Sequence, residues 1–246
     1  MSDAFLSQTI TISTEDGEIE AYEALVQDSA PRGGVVVIHH MPGYDLASKE
    51  IVRRFASMGY NAVMPNLYHR DAPGAAPDDA AAAGRAKGGV PDERLVTDVT
   101  AGAAYLRALP NSNGKVGTIG YCSGGRQSVL AAIEVDVDAA VDCYGAFVTG
   151  VLPEGFPLKV QPLGERVKGV RAPILGLFGK DDQYPSQEQV AEFEQLLKES
   201  GKDFEFHSYE GAGHAFFSVD RPAFRPEAAK DGWAKIAAFY GKHLGA

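Results

Sequence analysis

Lys115 to Arg126 reads KVGTIGYCSGGR. The β-branched and small residues up to Ile119 predict a short strand, Gly120 to Gly125 predicts a tight turn, and a helix follows from about Ser123 to Ile133. Gly120-Tyr121-Cys122-Ser123-Gly124 is the G-x-C-x-G form of a nucleophile elbow, in which a sharp turn lifts one side chain above the end of a parallel sheet. Glycines two before and two after Cys122 leave room for the chain to approach itself where a side chain would block it. Cys122 then stands at a helix N-terminus, where the dipole and unpaired N–H groups favour a thiolate and can receive a developing oxyanion. Without its context, the same stretch describes a glycine-rich turn around an inert buried cysteine.

Outward from the elbow, the context is α/β. Gln8 to Ser13 and Glu18 to Val26 flank an Asp16-Gly17 turn and predict an antiparallel hairpin. Gly34 to Ile38, Asn61 to Met64, Val137 to Tyr144 and Pro173 to Phe178 are short runs of the kind covered on both faces, and Phe204 to Tyr209 is the last strand. Helical spacing lies between them at Ile51, Val52, Phe55 and Met58, over Asp92–Leu109, over Gln187–Ser200 and over Pro226–His243. Alternating strands and helices imply a mostly parallel central sheet with helices on both faces, and ligands beyond the C-terminal strand ends. Residues 71–91 are rich in Ala, Gly, Pro and Asp with little periodicity; they predict a surface excursion, mobile or partly helical, within one domain spanning 1–246.

Composition narrows the function. There are 33 acidic against 23 basic residues, a net charge of −10, and no basic stripe, so nucleic acid and anionic membrane are poor partners. No run of about eighteen apolar residues occurs, and MSDAFLSQTITI shows no basic region followed by an apolar one. The expectation is a soluble, cytoplasmic protein. The two cysteines, Cys122 and Cys143, form no disulfide framework, and no Cys/His cluster has zinc spacing, so neither metal nor cofactor is expected.

A thiol nucleophile needs a base, and the base needs a partner to fix its tautomer. Of six histidines, His214 follows a predicted strand within Gly211-Ala-Gly-His. An acid is expected after the strand ending at Phe178, where Asp181 and Asp182 compete; spacing from Gly179 favours Asp182, and counting back from Pro185 favours Asp181. Oxyanion donors are expected from the backbone N–H groups of Ser123 and Met41, the latter in the loop His39-His40-Met41-Pro42-Gly43.

GYCSGG, MPNLYHR, GKDDQYPS and YEGAGHAFF, in this order, resemble the dienelactone hydrolase (carboxymethylenebutenolidase) family of the α/β-hydrolase fold, from about Val35 to His243. The resemblance implies a triad of Cys122, His214 and Asp182 acting on an activated ester or lactone through a thioester. It implies that Arg70 binds a substrate carboxylate and that Tyr144 lines the pocket. His40 stands where the prototypes have a glutamate near the resting thiol, and Ser218 where they have a second carboxylate-binding arginine. The expected partner is thus a small ester or lactone, anionic only if a local arginine overrides the overall charge, on a monomer or homodimer. The alternatives are hydrolysis of another acyl bond, thioester or peptide, by the same residues, or a ligand-binding protein without turnover.

Overall fold

The computed structural model describes residues 4–156 and 158–245. Strands β1 (Phe5–Thr14) and β2 (Gly17–Val26) form the hairpin, paired from Phe5↔Val26 to Thr14↔Gly17, with Gly17 at φ +110° closing the turn. That left-handed backbone is open to glycine at little cost. β2 runs antiparallel to β4 (Asn61–Pro65), and from there the sheet is parallel: β3 (Arg32–Ile38), β5 (Ser112–Tyr121), β6 (Ala139–Cys143), β7 (Ile174–Gly179) and β8 (Phe204–Tyr209). The order across the sheet is β1-β2-β4-β3-β5-β6-β7-β8.

Successive side chains of a strand point to opposite faces, so an unbroken apolar run supplies two cores at once. Val36 and Ile38 of β3 face one core, Val35 and Val37 the other, and all four are essentially inaccessible to water. Helices α2 (Pro77–Ala86), α3 (Asp92–Arg107), α4 (Ser123–Glu134) and α5 (Gln187–Glu199) cover the first face through Ala80, Leu95, Val99, Val129, Val190 and Phe193. Helices α1 (Leu46–Ser57) and α6 (Pro226–His243) cover the second through Val52, Phe55, Ile236, Phe239 and Tyr240. Phe55 is fully enclosed, with its ring 5.6 Å from Trp233 and 5.8 Å from Tyr240.

One segment takes the partly helical form among its expected ones and one helix boundary differs, both for local reasons. Segment 71–91 contains α2: Pro77 opens it with a preset φ, Asp78 and Asp79 lie in its positive first turn, and alanine continues it. Its apolar face is only alanine and glycine, so no periodicity stands out. A Cβ on Gly84 would lie 2.5 Å from the Tyr68 ring, which shows how closely α2 packs. The segment is also tied down by Asp71, which accepts from Lys87 at 2.8 Å and from Arg94 at 2.5 Å. Helix α1 starts earlier than its apolar spacing suggests, because Asp45 caps it by accepting the Ser48 N–H at 2.8 Å. No described helix is long and apolar enough to cross a membrane.

Candidate active site

The elbow forms as its glycines require. Cys122 lies between β5 and α4 at φ 57°, ψ −120°, a region a side chain rarely occupies and that costs about 1–3 kcal/mol. A Cβ on Gly120 would sit 1.8 Å from the Gly124 carbonyl oxygen, and one on Gly124 would sit 2.4 Å from the Ile38 carbonyl oxygen. Larger residues at either position would push the turn apart. The strained residue is held by its N–H donating to the Cys143 carbonyl at 3.1 Å and its own carbonyl accepting from Gly125 at 3.0 Å.

Beyond β7, Asp182 accepts the Tyr184 N–H on Oδ1 at 2.9 Å and meets Nδ1 of His214 with Oδ2 at 2.8 Å. Its side chain is 4% exposed. Asp181 is exposed, with its backbone N–H bonded to the Ala212 carbonyl at 2.9 Å and no bond from its side chain to His214. Of the two neighbours, it is therefore Asp182 that reaches the imidazole. With Nδ1 taken, Nε2 of His214 is left for the Cys122 thiol, which lines the same cleft. Burial lowers the proton affinity of His214, but the bond to Asp182 and the neighbouring Cys122 outweigh it and hold the imidazolium up to about 10. The Tyr144 ring stands edge-on at 5.1 Å from the His214 ring.

Met41 and Ser123 share a small recess with His39 and Gln127. Ser123 begins α4, so its N–H has no intrahelical acceptor. The orientation of the Met41 N–H is set from His39. This buried imidazole donates from Nδ1 to the His40 carbonyl at 2.8 Å and accepts the Leu67 N–H on Nε2 at 3.2 Å. The Gly43 N–H also donates to the His40 carbonyl, at 2.9 Å. In a trans peptide the N–H points opposite the carbonyl, so fixing the His40 oxygen aims the Met41 N–H the other way. Burial pushes the proton affinity of His39 down to about 4, which keeps it neutral, as this donor-and-acceptor role requires. Replacing His39 by alanine is expected to lower kcat about tenfold to a hundredfold with KM within about twofold, as loss of aim at one oxyanion donor would. Glutamine, which can also donate and accept, should recover part of the loss in steady-state kinetics.

The model of the dienelactone hydrolase family matches residues 19–244. The chain belongs to that family. A carboxymethylenebutenolidase of Pseudomonas putida is 32% identical over 237 residues, covering 91% of this chain and 92% of the relative. The crystal structure of a candidate dienelactone hydrolase from Klebsiella pneumoniae superposes with a TM-score of 0.85 at 26% identity, covering 98% of this chain and 100% of the other. An acylaminoacyl peptidase of Pyrococcus horikoshii shares the fold, with a TM-score of 0.73 at 19% identity over 98% of this chain and 42% of that one. The chain is thus a hydrolase of the lactone and ester type with the α/β-hydrolase fold.

This dienelactone hydrolase family member departs from expectation at two sites. Arg70 does not turn to the nucleophile: its guanidinium meets both oxygens of the buried Asp98 on α3, at 2.9 and 3.1 Å, and Thr14 of β1 at 2.8 Å. A guanidinium bound by a fully buried carboxylate is not free for a substrate, because parting them would leave a buried charge unpaired. His40 spends Nε2 on the α1 cap, at 2.9 Å from Asp45, rather than on the thiol. Together with Ser218 and Tyr144 it lines a second cleft of about 110 Å³ in which Arg54 is the basic residue, its guanidinium 3.9 Å over the Trp233 ring. Sequence reading missed Asp98, although a carboxylate amid Leu95, Val99 and Gly102 on a helix is itself a sign of a buried partner.

Asp142, in the middle of β6, was also missed. Its Oδ1 accepts the Gly145 N–H at 2.7 Å, while Oδ2 is buried with no partner among the described residues. Desolvation pushes its carboxyl up to about 7, opposed in part by the Gly145 bond and by His214. The folded state therefore holds a proton that the unfolded chain releases above the ordinary value of 3.8. Stability from this group is fully present below about 4 and falls as pH rises through 7. Asp142→Asn keeps an acceptor for Gly145 and removes the titration. The difference in melting temperature between variant and parent should grow from pH 4 to pH 7, by up to on the order of 4 kcal/mol of stability; a difference independent of pH would refute the assignment.

Proposed function

We propose that this chain hydrolyses an activated ester or lactone through a thioester on Cys122. His214 takes the thiol proton, and the sulfur attacks the substrate carbonyl carbon. The resulting oxyanion is received by the N–H groups of Ser123 and Met41, a contribution of about 3 kcal/mol for each donor. The C–O bond then breaks, and His214 returns the proton to the leaving oxygen. Water, deprotonated by His214, attacks the thioester; the C–S bond breaks, the acid leaves, and the thiol regains its proton. Asp182 holds the imidazole with Nδ1 protonated and Nε2 toward sulfur. The observation that supports this reading is the bond from Asp182 Oδ2 to His214 Nδ1 at 2.8 Å, with His214 and the elbow residue Cys122 lining one cleft. The two free thiols suit a reducing compartment such as the cytoplasm.

A p-nitrophenyl acetate burst tests it. The expected result is release of about one p-nitrophenol per chain before steady turnover, with an acetyl adduct on Cys122 in the acid-quenched protein by mass spectrometry. An adduct on another residue, or none during turnover, would overturn the thioester route.

A further inference from the structure

Cys122 and His214 form one wall of a cleft of about 410 Å³, within the range that holds a small organic ligand. Much of the remaining lining is aromatic. The Phe147 ring lies 4.9 Å from Phe156 and 5.5 Å from Tyr184, joining three rings into one surface of the cleft that Cys122 also lines. Tyr184 is 38% exposed, so part of this surface meets water when the cleft is empty. Among the described residues no lysine or arginine lines the cleft; besides the His214–Asp182 pair, its charge is the exposed carboxylate of Asp181. Arg70 is held by Asp98, and Lys180 by Glu210 at 2.5 Å. A substrate carboxylate here would lose water, gain no counter-ion beyond the His214 already paired with Asp182, and face a like charge, whereas a neutral ring would bury apolar area against the aromatic lining.

Resting on the proposed hydrolase reading, we propose that this cleft binds a neutral aryl group of the substrate, so that the preferred substrates are uncharged aryl-bearing esters rather than carboxylate-bearing lactones. Phe147 and Tyr184 set this preference together, Phe147 from the segment after β6 and Tyr184 from the loop after β7.

Initial rates by pH-stat on benzyl butyrate, butyl phenylacetate, butyl butyrate and butyl hydrogen succinate test it. At least one neutral aryl ester should exceed butyl butyrate about tenfold in kcat/KM, the equivalent of about 1.4 kcal/mol, and the hydrogen succinate should fall about tenfold below it. Tyr184→Ala, at an exposed ring, should lower the ratio of kcat/KM for the favoured aryl ester to that for butyl butyrate several-fold. Phe147→Leu, which keeps the site apolar but removes a ring, should act in the same direction. Turnover through Cys122 with equal rates for all four esters, or with the anionic ester fastest, would overturn the aryl cleft while leaving the hydrolase reading intact. Absence of both turnover and acylation of Cys122 would overturn the two together.

Discussion

Cys122→Ala is expected to lower kcat/KM for an activated ester by about 10⁴- to 10⁶-fold, the scale on which removing a nucleophile from a coupled constellation acts. What remains would come from binding and from the Ser123 and Met41 donors. The fold should be retained. The thiol is partly exposed at the rim, and alanine inherits the same strained φ of 57° without adding a clash. Circular dichroism and a melting temperature near that of the parent would establish this. Cys122→Ser separates chemistry from shape, because a hydroxyl of similar size beside His214 is a poorer nucleophile near neutral pH. It should stay below the parent by about a hundredfold or more. Residual activity of the alanine variant within about tenfold of the parent would place the reacting atom elsewhere.

Asp182→Asn and Asp181→Asn differ by one position and by about four orders of magnitude in expected effect. At position 182 the amide can present N–H to the imidazole nitrogen that now donates to Oδ2, favouring the tautomer with its proton on the wrong side; in a related constellation this costs about 10⁴ in kcat. At position 181 the side chain is exposed and makes no bond to His214, so kcat should stay within about twofold. The same pair reads out in stability. Asp182 helps hold His214 charged up to about 10, above its ordinary 6.5. Its stabilising share is complete below about 6.5 and is lost as pH rises through 10. The deficit in melting temperature of Asp182→Asn should therefore shrink across that interval, and that of Asp181→Asn should stay near zero throughout. A large activity loss in the position 181 variant, or none in the position 182 variant, would reverse the assignment.

How much of the site was legible depended on whether a residue's role was local. The elbow is local: two glycines and a cysteine between a strand and a helix constrain one another over five residues, and steric exclusion alone demands the pattern. Asp182 was half legible, since spacing narrowed the acid to two neighbours but could not say which side chain turns inward. That is decided by the Asp181 N–H bonding Ala212 and by the Tyr184 N–H bonding Asp182, contacts spanning different ranges of the chain. Arg70 was misread because a motif marks where an arginine stands and not what it bonds. Asp98 lies 28 residues further on, and α3 brings it within 2.9 Å.

By itself the order of residues determined the parallel sheet, the helices on both faces and the elbow, because each follows from periodicity or backbone sterics within a short window. Only the tertiary structure decided that Arg70 is spent on Asp98, that His39 aims the peptide before Met41, that Asp142 is sealed in β6, and that Phe147, Phe156 and Tyr184 meet in the cleft that Cys122 lines. Those outcomes depend on desolvation and on competition among partners distant in the chain. A side chain's charge and its available bonds then follow from what the fold packs against it.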